Sequence, residues 1–206
     1  MVREYRKLSL GSGDEHMRAP FRVGRKRDTY VDPAYKSTHH FERFRLLFMQ
    51  SELSALTAHR FLDRAIRERR RYKTIEINMP LGGITSRVKD FSGLCKKMAT
   101  VLPSGGRVEI LTETWKDKTK IALPYKLTTE HFERPSDTMN LGLLDYPRMT
   151  HEDMEDIPHA LASAGFDIQI IDHIPQEIIN RSSTARKYFS RELKRSALQL
   201  IIATKK

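Results

Sequence analysis

Lys7-Leu8-Ser9-Leu10-Gly11-Ser12-Gly13-Asp14, followed 19 residues beyond Gly13 by Asp32 in Thr29-Tyr30-Val31-Asp32-Pro33, is the stretch on which the reading of this chain turns. A short apolar run that breaks into Gly-x-Gly is what a buried strand needs if its end is to turn sharply and bring bare backbone against a ligand. A second apolar run ending in a carboxylate about 20 residues later can accept hydrogen bonds from ribose hydroxyls. Ten glycines in 206 residues produce such pairs by chance, so the spacing to Asp32 carries the argument rather than the glycines themselves. The two segments together read as a nucleotide-type ligand site.

The bulk properties set the frame around that site. A chain of 206 residues suffices for one well-buried domain, and 39 % hydrophobic with 31 % charged residues is ordinary for a soluble globular protein. No run approaches the ~18 to 20 apolar residues of a membrane helix, and the opening Met1 to Lys7 is not a signal peptide, so a cytoplasmic protein is expected. The single cysteine, Cys95, sits in an apolar helical pattern and reads as a buried thiol. The net charge of +11 favours a polyanionic partner such as RNA. Cations gather at Arg22 to Arg27, at Arg67, Arg69, Arg70, Arg71 and Lys73, and at Arg186 to Arg195. The second group also reads as the end of a helix, where the helix dipole favours cations, and the third as a solvated helix face.

Outward from the opening stretch, strands are expected at residues 7 to 11 and 28 to 32. Between them a helix from Asp14 to Arg27 is interrupted by Pro20 and Gly24. Phe44 to Gln50 fits either a helix or a buried third strand. Phe61, Ala65 and Ile66 recur at helical spacing toward a basic end at Arg71, and Thr74 to Asn78 alternates as a strand. Val88, Phe91, Leu94, Met98 and Leu102 mark a helix ended by Pro103-Ser104-Gly105-Gly106, and Arg107 to Thr112 a strand. Residues 114 to 150 are irregular. A helix from Thr150 to Gly165, a strand from Phe166 to Ile171, a basic helix near 182 to 195 and a strand from Ala197 to Ala203 complete the chain. Strands alternating with helices predict a mostly parallel sheet covered on both faces, with ligands at the carboxyl ends of the strands.

The pattern resembles the class I S-adenosylmethionine-dependent methyltransferases over nearly the whole chain. Leu8 to Gly13 looks like that family's glycine-rich first motif, and Asp32 is similar to its ribose-binding acid. Leu102 to Ile110 resembles the approach to the family's fifth strand, and Ala160 to Phe166 the helix end before its sixth. The resemblance implies one methyltransferase-like domain over residues 1 to 206, with a Rossmann-like three-layer sandwich. Its mostly parallel sheet has seven strands, the last antiparallel, and helices on both faces. It implies S-adenosyl-L-methionine as cofactor, bound by Leu10, Gly11, Ser12, Gly13, Asp32, Pro33 and Asn78. It also places the third strand at Phe44 to Gln50, with Ser51 and Glu52 just after it at the adenine. Asn78-Met79-Pro80-Leu81 is loosely similar to the Asn-Pro-Pro-aromatic motif of amino-methylating members, which makes Asn78 the catalytic candidate; the competing reading is a loop cap beside Pro80. The segment 114 to 150 would lie on the substrate side, with Trp115, Tyr125 and His131 as contacts.

The chain departs from the family at Ser9, where an acid is common, and at Glu15, where a third glycine is. Three functions therefore stand side by side: a methyltransferase acting on RNA or a small molecule, a methyltransferase fold that only binds RNA or a partner, and a nicotinamide oxidoreductase. The last is disfavoured by His16 in place of the third glycine of its fingerprint. His131 and His151 are candidate bases for an O-methylating enzyme, each also readable as a surface histidine. No Cys/His cluster has metal spacing, so no metal is expected.

Overall fold

A computed structural model describes residues 2–11, 28–32, 51–78, 88–113, 151–181, 186 and 198–206. Its strands are β1 (Arg3–Leu10), β2 (Asp28–Val31), β3 (Ser51–Ser54), β4 (Arg70–Asn78), β5 (Arg107–Glu113), β6 (Phe166–Ile171) and β7 (Leu198–Lys205). The helices are α1 (Ala58–Arg67), α2 (Val88–Val101), α3 (His151–Ser163) and α4 (Gln176–Ile179). The strands form one mixed sheet in the order β3-β2-β1-β4-β5-β7-β6, parallel from β3 to β5, with β7 antiparallel to both of its neighbours. The mixed α/β architecture agrees with the sequence expectation.

The register explains why the apolar runs fold this way. Leu10, Val31, Ile77, Ile110 and Ile201 lie in line across five strands, and all are buried in the main core. Against them pack Phe61, Leu62 and Ala65 of α1, Phe91, Leu94, Cys95, Met98 and Val101 of α2, and Ile157, Ala160 and Leu161 of α3. Helical spacing on three helices thus meets the period of two on the strands. A smaller cluster, Leu111, Ile174, Ile179, Leu198 and Leu200, lies under α4.

Two expected boundaries move. The helix expected to run to Arg71 stops at Arg67, because Arg70 and Arg71 already belong to β4. β1 likewise begins four residues earlier than the apolar run, at Arg3. In both strands the alternation breaks at the same level. Tyr5 and Tyr72 are in register and stacked with centroids 5.0 Å apart, and both join the core that holds Leu8 and Ile75, three residues further on.

The C-terminal end of α2 shows how its unpaired carbonyls are satisfied from outside the helix. Lys205 donates through Nζ to the carbonyls of Ala99 and Leu102 at 2.7 and 2.8 Å, and Arg71 donates to that of Thr100. Gly106 follows, where a Cβ would meet the Pro103 carbonyl at 2.9 Å, so no larger residue fits the turn.

Burial has a measurable consequence in alkali. Desolvation pushes the Cys95 thiol and the Tyr72 phenol each up to about 12. Both stay protonated in the folded chain at pH values where the unfolded chain releases their protons. The unfolded state then binds fewer protons, and stability falls as pH rises from about 9 toward 12. Cys95 alone should account for a loss of about 2 kcal/mol between pH 7 and 10.5. Urea melts at the two pH values test this; in Cys95→Ala that part of the loss should vanish, and an unchanged profile would refute the assignment.

Candidate functional site

The sheet order reverses between β1 and β4, since the chain proceeds from β1 outward to β3 on one side and from β4 outward on the other. At such a switch point the connections leave in opposite directions and open a crevice at the carboxyl ends of the strands. Gly11 and Asn78 stand there. Leu10 is in register with Ile77 and with Val31, so Gly11, Asp32 and Asn78 occupy one level at the ends of three adjacent strands.

Gly11 has φ of 63°, in the left-handed region, and its N–H donates to the Val31 carbonyl at 2.8 Å. A glycine makes that turn without the steric cost that a Cβ would add. The Asp32 N–H donates to the Ser54 carbonyl at 3.0 Å, which ties the end of β2 to the edge strand. Asp32 and Asn78 are 9 % and 7 % exposed, so each is held by its surroundings rather than waving in solvent. Ser54 ends β3 and Thr112 stands one residue before the end of β5, and both are buried. A turning glycine, a fixed carboxylate acceptor one strand over and an amide on the other side suit a ligand that carries vicinal hydroxyls and an amine-bearing neighbour. A carboxylate acceptor in that place is compatible with the hydroxyls of a ribose.

Of the other residues expected at the cofactor, Leu10 is buried in the core immediately before Gly11. Ser12, Gly13 and Pro33 lie outside the described residues, as do Trp115, Tyr125, His131 and the ambiguous stretch Phe44 to Gln50. Ser51 and Glu52 are placed differently from the expectation. They open β3 rather than follow it, in register with Asp28 and Thr29 at the starts of the strands, and Glu52 pairs with Arg70 at 2.5 Å. A strand of four residues with two serines and a glutamate carries too little apolar signal to be recognised. The residues that do follow β3 are Ala55 and Leu56, beside Ser54, and a correct strand end would have pointed to them.

Beneath the crevice runs a charged layer whose partners are far apart in sequence. Glu76 is in register with both Ser9 and Glu109, which sets two carboxylates side by side on adjacent central strands, each side chain only 9 % exposed. Like charges so placed require cations. Lys7 reaches Glu76 at 2.7 Å, Arg107 reaches Glu109 at 3.1 Å, and Arg181 bridges the pair, donating to Glu109 and standing 3.6 Å from Glu76. Ser9, in the position where the resembled family carries an acid, is fully buried beside Glu76. The carboxylate of this level therefore sits one strand over.

Removing the bridge tests its weight. Arg181→Ala should destabilise the protein by about 2 kcal/mol, less than for a fully buried pair because Arg181 is 32 % exposed. Glu109→Gln in the same background should restore part of the loss. Two losses that simply add in a double-mutant cycle would show that the bridge carries no coupling.

Among the described residues no group of histidine, cysteine, aspartate and glutamate is arranged to hold a metal ion, and no helix is long and apolar enough to cross a membrane.

Neither a family model nor a curated protein sequence matches this chain. Solved structures do. The chain is similar to the 16S rRNA methyltransferase KamB, with TM-score 0.54 and 17 % identity over 98 % of this chain and 88 % of that one. The aminoglycoside resistance methyltransferase NpmB1 superposes with TM-score 0.56 and 16 % identity over 98 % and 88 % of the two chains. The plantazolicin methyltransferase BamL, solved with S-adenosylhomocysteine and a triazolic desmethylPZN analogue, gives 0.56 and 15 % over 98 % and 77 %. The chain has the class I methyltransferase fold.

Proposed function

We propose that this protein is an S-adenosylmethionine-dependent methyltransferase whose acceptor is RNA. The observation that carries the reading is the shared level of Gly11, Asp32 and Asn78 at the switch point of a methyltransferase-type sheet. When bound, the cofactor supplies an electrophilic methyl group on a sulfonium. The protein's own contribution is positioning, which is what methyl transfer chiefly needs. Asp32 accepts hydrogen bonds from the two ribose hydroxyls. The left-handed turn at Gly11 lets the backbone approach the ligand without a side chain between them. Asn78, two residues beyond Glu76 on β4, presents an amide whose oxygen can accept from an acceptor amine and leave its lone pair facing the methyl group. Ser12, Gly13 and Pro33 complete the cofactor loops, and Trp115, Tyr125 and His131 of the 114 to 150 segment contact the acceptor.

RNA is favoured over a small molecule by the net charge of +11 and by the rRNA methyltransferases among the structural neighbours. One of these is a 16S rRNA (adenine(1408)-N(1))-methyltransferase from Catenulisporales acidiphilia, 17 % identical with TM-score 0.52 over 98 % of this chain and 85 % of that one. The test is transfer of methyl-labelled S-adenosylmethionine to ribosomal RNA and to transfer RNA. Label in RNA that disappears with Asn78→Ala supports the proposal. Cofactor binding without transfer to any RNA would favour a binding protein on a methyltransferase fold, in line with the departure at Ser9.

A further inference from the structure

The basic group of residues 67 to 73 divides in the structure into cations with a structural task and cations without one. Arg70 is buried and paired with Glu52 and Glu68, and Arg71 caps α2 through the Thr100 carbonyl. Arg67, Arg69 and Lys73 are exposed and make no ion pair or side-chain hydrogen bond with another described residue. Arg3 is exposed beside them, since its strand position is in register with Arg70 and its N–H donates to the Arg69 carbonyl. The acids nearby are Glu68, engaged by Arg64 and Arg70, and Glu4, which is also engaged. The dipole of α1 accounts for Arg64 and Arg67 in its last turn but not for Arg69 or Lys73, which lie past it.

Arg69 adds an independent observation. It follows the C-cap of α1 with φ of 53°, the left-handed position that glycine normally fills at a helix end. A cation is kept where a glycine would relieve the backbone, and a local cost of that kind points to a use for the side chain.

From this we infer that the exposed cations around the amino-terminal end of β4, namely Arg3 of β1, Arg67 at the end of α1, Arg69 of the connection and Lys73 of β4, are a docking surface for the phosphate backbone of RNA, separate from the cofactor crevice. β4 spans eight residue steps from Arg70 to Asn78, about 26 Å at the usual rise, so the two sites lie at opposite ends of one strand. An RNA reaching both must pass along the molecule. RNA is the partner because the surface offers exposed positive point charges, which complement the phosphates of a nucleic-acid backbone. The surface does not depend on the cofactor reading.

The experiment measures binding of a fluorescent RNA hairpin across 50 to 200 mM salt to the intact protein and to Arg67→Ala/Arg69→Gly/Lys73→Ala. The wild type should bind with a steep salt dependence, and the triple variant should lose roughly 2 to 3 units of the log–log slope, as three phosphate contacts require. Its affinity at 50 mM salt should fall on the order of 10-fold or more. Arg69→Gly alone should lower the slope by about one while raising the melting temperature, a pairing that a merely structural arginine would not give. An unchanged slope in the triple variant, no RNA binding by the wild type, or tighter binding of polyglutamate than of RNA overturns the proposal. A thermal shift with S-adenosylmethionine, run on the same proteins, separates the two readings: it should persist in the triple variant, and its absence from the wild type would remove the cofactor while leaving this surface standing.

Discussion

Replacing Arg70 with alanine is expected to lower stability by about 3 kcal/mol, the largest loss for any single charged residue of the described structure. Its side chain is 5 % exposed, yet it pairs with Glu52 at 2.5 Å and with Glu68 at 2.6 Å. Its guanidinium also lies over the rings of Tyr5 at 5.1 Å and Phe61 at 5.7 Å. Burial is the largest single influence and works against the charge, but the hydrogen bond donated to Glu52 and the attraction of that carboxylate, with smaller contributions around them, together outweigh it and hold the guanidinium even more firmly protonated than usual. One side chain thus joins the edge strand β3, the start of β4, the end of α1 and the start of β1. Alanine would leave the two glutamates without their shared cation and a gap between two aromatic rings. The glutamates are 27 % and 31 % exposed and can regain water, which limits the loss to the lower part of the range for broken buried pairs. Arg70→Lys should recover the charge but not the forked contact with two acids, and so about half the loss. A loss below 1 kcal/mol for alanine, in a urea melt, would show that the hub is not structural.

The second large effect is expected at Asp32. Alanine there should weaken S-adenosylmethionine binding by roughly 100- to 10,000-fold, since it removes two hydrogen bonds to a charged acceptor, each worth about 1.5 to 3 kcal/mol. The tie from β2 to Ser54 should survive the substitution, because it is made by the backbone N–H of Asp32. Asp32→Asn, which keeps the shape and one acceptor oxygen, should fall between. Calorimetric titration gives the affinity directly, and an alanine variant that binds as tightly as the wild type would show that the ribose lies elsewhere.

What could be read from the residues depended on where each lay in the sheet. β5 and β6 follow turn glycines, and their apolar runs set their limits. The starts of β1 and β4 carry Arg3, Glu4, Arg6 and Arg70, Arg71, Lys73, so the charges that crowd the amino-terminal end of the sheet hid eight residues of strand from a pattern that looks for apolar runs. β3 escaped because Ser51-Glu52-Leu53-Ser54 is a short edge strand, and an adenine position inferred one residue after the wrong strand end fell at the wrong end of the right strand. The positions of Gly11 and Asp32 at strand ends were legible because a glycine break and a terminal carboxylate are local signals. The charged layer of Lys7, Glu76, Glu109 and Arg181 was not, because its hydrogen bonds join residues 69 and 72 positions apart and only the register brings them together.

The most direct measurement is the thermal unfolding of the wild-type protein with S-adenosylmethionine and, separately, with NADH. At a hundred times its dissociation constant, S-adenosylmethionine should stabilise the fold by ~2.7 kcal/mol, seen as a rise of several degrees in Tm, while NADH leaves it unchanged. A shift with NADH alone, or none with S-adenosylmethionine at millimolar concentration, would contradict a methyl-donor site at Gly11, Asp32 and Asn78.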